Sequence, residues 1–307
     1  MMSNDNNNNK NNKNENEIDY ETIKSSDIMP LDQKDMRCAP SKKFENGSCI
    51  PVHVLSRMAI SYNKHNQDQI PLDTAKEIAN PAKYKRYLLK QFKTKLGKDR
   101  TQRSWMDESF VTKLESKYQK DLEKNTWRPE GPEGKFEWLN TSHIEDVVKQ
   151  YEEKYPEFKF LGAVPMDFDD LPGLGIKNMD FKQLMDSGKT KIGVVFNTDD
   201  STQAGSHWNA LYADLKKGTV YFSDSYGTVP EPRIKQLMTR IAKAIRDNGG
   251  KPIVDYNRKR HQEGDNACGL YSVNFILRSL RGDSFAELTS KRMPDEIVNK
   301  CRNFYFT

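Results

Sequence analysis

Three short apolar runs follow one another between residues 191 and 223. They read "KIGVVFN", "SHWNALYA" and "TVYFSD", and polar loops separate them. Runs of this length, rich in Val, Tyr and Phe, are typical of β-strands. The last two flank the turn "DLKKG" and predict a hairpin. Two more strands are predicted, at "FKFLGAVP" before this group and at "PIVDYN" after it.

Helical periodicity surrounds the strands. In 231–247 the apolar residues recur every three or four positions, which predicts an amphipathic helix. A second helical pattern covers 268–281 and ends at Gly282, a typical helix stop. With strands clustered between helices, the sequence predicts an α+β fold, in which helices pack on a central mixed or antiparallel sheet.

The chain before these elements has a different pattern. Residues 4–16 are almost all Asn, Lys, Asp and Glu, so we expect a disordered Asn/Lys-rich tail over residues 1–27. Helical spacing of apolar residues then predicts a helical N-terminal region over 28–135. This region ends at "RPEGPEG", a Pro/Gly-rich sequence that is typical of a linker. Residues 136–307 are expected to form a separate domain.

Hydropathy and cysteine content narrow the class of protein. No secretory signal is visible at the start, and no run approaches the ~18 apolar residues of a membrane span. We therefore expect a protein that is not secreted, has no membrane partner and is made in a reducing compartment. Its four cysteines are then expected to be thiols: Cys38, Cys49, Cys268 and Cys301. The spacing of Cys38, Cys49 and His53 is irregular for zinc, so neither a metal nor another cofactor is predicted.

Charge is nearly balanced over the whole chain. A net charge of +5 on 49 basic and 44 acidic residues does not by itself indicate nucleic-acid binding. One segment, Lys83–Arg103, carries nine Lys or Arg and a single Asp, with aromatic residues between them. It is interpreted either as a solvated helix face or as a weak contact with nucleic acid or another anionic surface.

Cys268 lies where the polar loop "HQEGDNA" gives way to the predicted helix 268–281. Unpaired N–H groups at a helix N-terminus favour a negatively charged thiolate, which is the nucleophilic form. Gly269 removes a side chain beside it, so that a substrate backbone can approach closely. Taken alone, however, Cys268 is better explained as a small buried hydrophobe.

Two other positions supply what a thiolate nucleophile needs. His207 opens the strand "SHWNALYA" and Asp224 ends the next strand, so the predicted hairpin brings an imidazole and an orienting carboxylate side by side. Gln262 and the Cys268 backbone N–H can form a pair of donors for an oxyanion. His261 would point away from that site in an extended segment.

The order of these residues resembles that of the cysteine proteases that process ubiquitin-like proteins, a clan that includes the adenovirus maturation protease. The motifs that carry the resemblance are "HW" at 207–208, "D" at 224, "Q" at 262 and "CG" at 268–269. The resemblance spans about 136–281 and implies a sheet packed by helices, with the nucleophile at a helix N-terminus.

The resemblance implies a role for each matched residue. Cys268 would be the nucleophile, and His207 the general base and acid. Asp224 would orient the imidazole, and Gln262 would donate to the oxyanion. Trp208 would line the channel for the Gly-Gly of a substrate, next to Gly269, although plain core packing also explains Trp208.

Two upstream segments, 38–49 and 138–168, resemble the branch of this clan that large DNA viruses encode. In that branch an extra helical region precedes the protease domain. The residue that orients the imidazole can be Asn there, whereas this chain has Asp224. The resemblance implies an endopeptidase of the virion and host cytoplasm that cleaves structural polyproteins after Gly-Gly-type sites during maturation. Two alternatives stay open: removal of SUMO-like modifiers from host proteins, and a catalytically idle binding scaffold, which the filled catalytic positions disfavour.

Overall fold

The computed structural model describes residues 37–134 and 136–307. The predicted tail, residues 1–27, lies outside the described residues. The first of the two described ranges is mainly helical, and the second contains a sheet with helices on both of its faces.

A five-stranded mixed sheet forms the centre of the second range. Its strands are β1 (Phe158–Val164), β2 (Lys191–Asn197), β3 (Trp208–Asp214), β4 (Thr219–Ser223) and β5 (Ile253–Tyr256). They lie side by side in chain order. The outer pairs β1–β2 and β4–β5 are parallel, whereas β3 is antiparallel to both of its neighbours. The predicted α+β class, the hairpin and all five predicted strands are confirmed.

Helices precede, interrupt and follow the sheet. Those before it are α1 (Val52–His65), α2 (Thr74–Ala79), α3 (Pro81–Leu96), α4 (Ser109–Thr112), α5 (Ser116–Lys124), α6 (Thr141–Lys149) and α7 (Tyr151–Lys154). Those among and after the strands are α8 (Phe181–Asp186), α9 (Pro232–Asp247), α10 (Cys268–Arg281), α11 (Phe285–Thr289), α12 (Asp295–Asn299) and α13 (Arg302–Tyr305). Short 3₁₀ turns occur at Arg103–Asp107, Phe168–Asp170 and Pro172–Leu174.

The sheet is buried on both faces. On one face α6 and α10 pack against it, with Val147, Phe158 and Val273 in the interface. On the other face α9 covers it through Leu237 and Ile241. All seven residues of β3 are buried, which explains why this central strand reads as a nearly continuous apolar run rather than an alternating one.

The N-terminal region has a hydrophobic cluster of its own. Leu55 of α1, Leu88 and Phe92 of α3, Trp105 and Phe110 are buried together. The rings of Phe92 and Phe110 are stacked at a centroid distance of 5.9 Å. A separate core favours the domain limits predicted from the sequence, 28–135 and 136–307, which stay a prediction.

The expectation of four thiols is wrong for two of them. Cys38 and Cys49 are joined in a disulfide, whereas Cys268 and Cys301 are free. A hairpin between Glu45 and Ser48 brings Cys49 back towards Cys38, and its turn has positive φ at Asn46 and Gly47. Sequence spacing alone cannot show this turn geometry. The bonded sulfurs are not available as thiolate ligands, which also removes the zinc interpretation of this segment.

Candidate active site

Cys268 is the first residue of helix α10, at the position that the periodicity predicts. The residue before it, Ala267, provides no side-chain cap, so N–H groups of the first turn are left for another acceptor. Helix α10 packs directly against β3, the central strand. The thiol is thereby held at the end of β3 where His207 lies, and only 2% of the residue is exposed.

The His207 imidazole lies between a carboxylate and the thiol. Its Nε2 is 2.6 Å from Asp224 Oδ1, and it also hydrogen-bonds with Cys268. Burial by itself would lower the pKa of His207, but the hydrogen bonds with Asp224 and Cys268 outweigh it and raise the pKa to about 9. Since Nε2 faces Asp224, the other ring nitrogen, Nδ1, faces the thiol.

Asp224 follows β4 and is almost fully buried, with 1% of its surface exposed. Burial opposes ionisation, but hydrogen bonds from His207 and Thr228 lower the pKa of its carboxyl below the usual range. The Tyr226 backbone N–H donates to Oδ1 at 3.1 Å, and the Thr228 hydroxyl donates to Oδ2. The carboxylate therefore stays charged and fixed in one orientation towards the imidazole.

Asn257 fixes the backbone on which Asp224 is carried. Its Oδ1 accepts from the Asp224 N–H at 2.8 Å, and its Nδ2 donates to the Asp224 carbonyl at 2.7 Å. The same Nδ2 also reaches the Lys259 carbonyl at 3.1 Å. Asn257 is 1% exposed and links the segment after β4 to the segment after β5.

Gln262 is completely buried, and both ends of its amide have partners. The Ser225 hydroxyl donates to Oε1 at 2.6 Å, and Nε2 donates to the Gly264 carbonyl at 2.8 Å. The Gln262 backbone N–H donates to the Ser225 carbonyl at 3.0 Å. One Nε2 hydrogen remains for a further acceptor, as an oxyanion donor requires.

Leu139 contacts both Trp208 and Gly269. The Trp208 indole donates to the Leu139 carbonyl at 2.8 Å, and a Cβ added at Gly269 would lie 2.9 Å from Leu139 Cβ. The absent side chain at Gly269 thus leaves room for Leu139, which is 2% exposed. That a substrate backbone also approaches beside Gly269 stays a prediction. Trp138, the neighbour of Leu139 in the chain, is 43% exposed.

His261 does not take part in the cluster. It is buried, and its Nδ1 accepts from the Met293 N–H at 3.0 Å. Burial and the nearby cations Lys259 and Arg292 lower its pKa to about 4, so the ring is neutral at pH 7. The prediction that His261 points away from the site is confirmed by this geometry.

Ser225, Tyr226 and Asn257 also contribute to the site, although the sequence pattern did not predict them. Ser225 and Tyr226 directly follow Asp224, where short polar residues are also explained by a turn, and only the distances reveal their partners. The Tyr226 ring stacks on His207 at a centroid distance of 4.8 Å, and its hydroxyl donates to the Gly264 carbonyl at 2.9 Å. These contacts cover one face of the imidazole.

The described ranges, 37–134 and 136–307, contain no cluster of three His, Cys, Asp or Glu side chains that could hold a metal ion. Nor does either range contain a helix that is long and apolar enough to cross a membrane.

Known proteins match both the sequence and the fold. A model of the Ulp1 protease family, C-terminal catalytic domain, matches residues 188–306. A putative thiol protease of Acanthamoeba polyphaga mimivirus is 34% identical over 280 residues, which are 88% of this chain and 92% of the relative. The chain belongs to the Ulp1 protease family. It is a cysteine peptidase, as the family and the named relatives show.

A second relative of the protease comes from African swine fever virus. This protein, named as a SUMO-1 cysteine protease, is 27% identical over 209 residues, or 61% of this chain and 74% of the relative. A crystal structure of a protease from African swine fever virus superposes with a TM-score of 0.56 at 18% identity, over 80% of this chain and 94% of the other. The predicted family resemblance and fold class are confirmed.

Proposed function

We propose that Cys268, His207, Asp224 and Gln262 perform peptide-bond hydrolysis in this peptidase. The observation that carries the proposal is the hydrogen-bonded series from the Cys268 thiol through His207 to Asp224, at the N-terminus of a buried helix. A buried structural cysteine does not require an imidazole whose second nitrogen is held by a carboxylate. Cys301, the other free cysteine, is buried next to Asn274 and Tyr305 instead.

The reaction would proceed in two steps. The Cys268 thiol passes its proton to His207, and the resulting thiolate attacks the substrate carbonyl. As the C–N bond breaks, the His207 imidazolium gives that proton to the leaving amine. The resulting thioester is hydrolysed by water, whose proton passes to His207 as the acyl group leaves as a carboxylic acid. During both steps the second Nε2 hydrogen of Gln262 and the Cys268 backbone N–H stabilise the oxyanion.

The proposed cleavage site follows a Gly-Gly-type sequence. The Trp208 indole donates to the Leu139 carbonyl, and Leu139 lies against Gly269, the neighbour of the nucleophile in the chain. A large indole close to the thiol favours a narrow channel, through which residues without side chains pass most easily. This geometry supports small residues before the scissile bond.

The proposed substrates are viral structural polyproteins cleaved during particle maturation, in the virion and host cytoplasm. The match to the mimivirus relative covers 280 residues and so extends well beyond the catalytic segment 188–306. An N-terminal region shared in this way favours a role for the whole chain in a viral setting. The name of the African swine fever virus relative favours a second candidate, removal of SUMO-like modifiers.

A direct test uses a fluorogenic peptide that ends in Gly-Gly before the reporter. Purified protease should release the reporter, and Cys268→Ala should abolish release, whereas Cys301→Ala should retain it. Equal activity of wild type and Cys268→Ala would remove the assignment of the nucleophile. Viral polyproteins and SUMO-like precursors, offered together in one reaction, then decide between the two substrate classes by their relative kcat/KM.

A further inference from the structure

A groove with a volume of about 390 Å³ lies in the N-terminal region, between helix α3 and the turn at Asn46 and Gly47. We call it the basic groove. Its lining residues are Asn46, Gly47, Arg86, Leu89, Lys90, Lys93, Thr94, Lys98 and Gln102. Four of these nine are cations and none is a carboxylate.

The cations of the basic groove form a row along one face of α3. Arg86, Lys90 and Lys93 are separated by four and three residues, which places them on the same side of a helix. Exposed Lys83 continues the row at its N-terminal end. At 1.5 Å per residue the row from Lys83 to Lys93 is about 15 Å long. Like charges at this spacing destabilise a helix, so a bound anion would relieve repulsion that the protein otherwise tolerates.

Three other cations of the segment pair with carboxylates, whereas the groove cations do not. Lys95 pairs with Asp68, Arg100 with Glu108, and Arg103 with Glu130 at 3.1 Å. Lys85 points inwards, where it donates to the Ser48 carbonyl at 2.8 Å. In the described parts of the chain, no carboxylate pairs with Arg86, Lys90, Lys93 or Lys98.

The wall opposite α3 is held in place before any ligand arrives. Gln102 Nε2 donates to the Gly47 carbonyl at 2.8 Å, and Ser48 Oγ donates to Gln102 Oε1 at 2.6 Å. The Cys38–Cys49 disulfide closes the same hairpin. A rigid wall lowers the entropic cost of binding, since few groups must be ordered when a ligand enters.

We propose that the basic groove binds the phosphate backbone of a nucleic acid, independently of base sequence. A row of about 15 Å matches roughly four phosphates of one strand at 3.4 Å each. Tyr84 is buried, and its ring stacks on that of Tyr87 at a centroid distance of 5.8 Å, so these aromatic faces already have a partner within the protein. Leu89, the apolar residue of the lining, is 6% exposed, which leaves no apolar surface for insertion into a lipid bilayer.

The test measures binding of the full-length protease to a fluorescent oligothymidylate of about 20 nucleotides and to a duplex of the same length. Four phosphate contacts predict that log K falls with log[salt] with a slope of about −2.8 for the single strand and −3.6 for the duplex. The double variant Lys90→Gln/Lys93→Gln should weaken binding and reduce the slope by about 1.4 to 1.8. The matched variant Lys217→Gln/Lys235→Gln removes two exposed charges elsewhere and should retain both affinity and slope.

Three results would overturn the proposal. One is an unchanged slope in Lys90→Gln/Lys93→Gln, and another is an equal loss in Lys217→Gln/Lys235→Gln, which would indicate a net-charge effect. The third is binding of poly-glutamate or of anionic phospholipid vesicles that is as tight as binding of the oligonucleotide and is weakened equally by Lys90→Gln/Lys93→Gln. Peptidase activity of each variant shows that the chain is folded, so these outcomes are separable from the proposed peptidase mechanism.

Discussion

The Ser225 hydroxyl donates a hydrogen bond of 2.6 Å to Gln262 Oε1, and both side chains are buried. The Gly264 carbonyl can only accept, so it requires the Nε2 end of the Gln262 amide, and the Ser225 hydroxyl then holds the Oε1 end as donor. Ser225 is the next residue after Asp224, so the orienting carboxylate and the proposed oxyanion donor are positioned by one short segment.

We therefore predict that Ser225→Ala lowers kcat roughly tenfold with little change in KM, because a misoriented donor weakens the transition state rather than substrate binding. Gln262→Glu, which loses the donor itself, should lower kcat by about 10² to 10³. Ser187→Ala, at the exposed end of α8, is the control and should keep full activity. Steady-state kinetics on the Gly-Gly peptide measure all three. A rise in KM at constant kcat for Ser225→Ala would contradict a positioning role.

Much of the catalytic geometry could be predicted from the sequence because it depends on secondary structure. His207 and Asp224 lie at the ends of neighbouring strands, and Cys268 lies at the start of a helix, so the predicted elements place the three residues together. The partners Ser225 and Asn257 could not be predicted in this way, since their roles depend on the path of loops across one another. The same limit explains the missed disulfide, which needs the turn at 46–47.

Asp224→Asn should reduce turnover less than His207→Ala. The carboxylate orients and stabilises the imidazole, whereas the imidazole itself transfers the proton, a step worth about 10² to 10⁴ in rate. Thr228 and the Tyr226 N–H would still hold an amide at position 224. Single-turnover rates at saturating substrate give the comparison. A larger loss in Asp224→Asn would mean that another residue moves the proton.

In a profile of kcat/KM against pH, the fall on the alkaline side should follow the loss of the proton from His207. Its pKa is raised to about 9, so the imidazolium that protonates the leaving amine is present at pH 7 and is lost as the pH rises through about 9. The stabilisation of the folded chain by this proton follows the same direction: it is complete below the ordinary value of 6.5 and disappears above about 9. In Asp224→Asn this fall should move to lower pH. A kcat/KM profile measured from pH 5 to about 10 tests this, and a fall unmoved by the substitution would contradict it.

The Cys38–Cys49 bond should stabilise the N-terminal region. It closes a loop between residues separated by 11 positions, for which chain entropy predicts about 2 to 3 kcal/mol. A non-cleaving reductant should therefore lower the thermal midpoint of wild type. The double variant Cys38→Ala/Cys49→Ala should have the same thermal midpoint with and without reductant. Equal midpoints for oxidised and reduced wild type would show that the bond adds no stability.

Gly269→Ala should destabilise the protease although it replaces a glycine within a helix. Alanine would normally stabilise a helix by up to about 1 kcal/mol relative to glycine. Here the new Cβ lies 2.9 Å from Leu139 Cβ, and overpacking of a buried site costs about 1 to 3 kcal/mol. Because Leu139 also accepts the Trp208 hydrogen bond, its displacement should raise KM for the Gly-Gly peptide. Gly173→Ala is the matched control, since nothing lies within 4 Å of a Cβ there. Urea unfolding gives the free energy of unfolding of both variants. A Gly269→Ala protein as stable as Gly173→Ala would show that Leu139 can move without loss of stability.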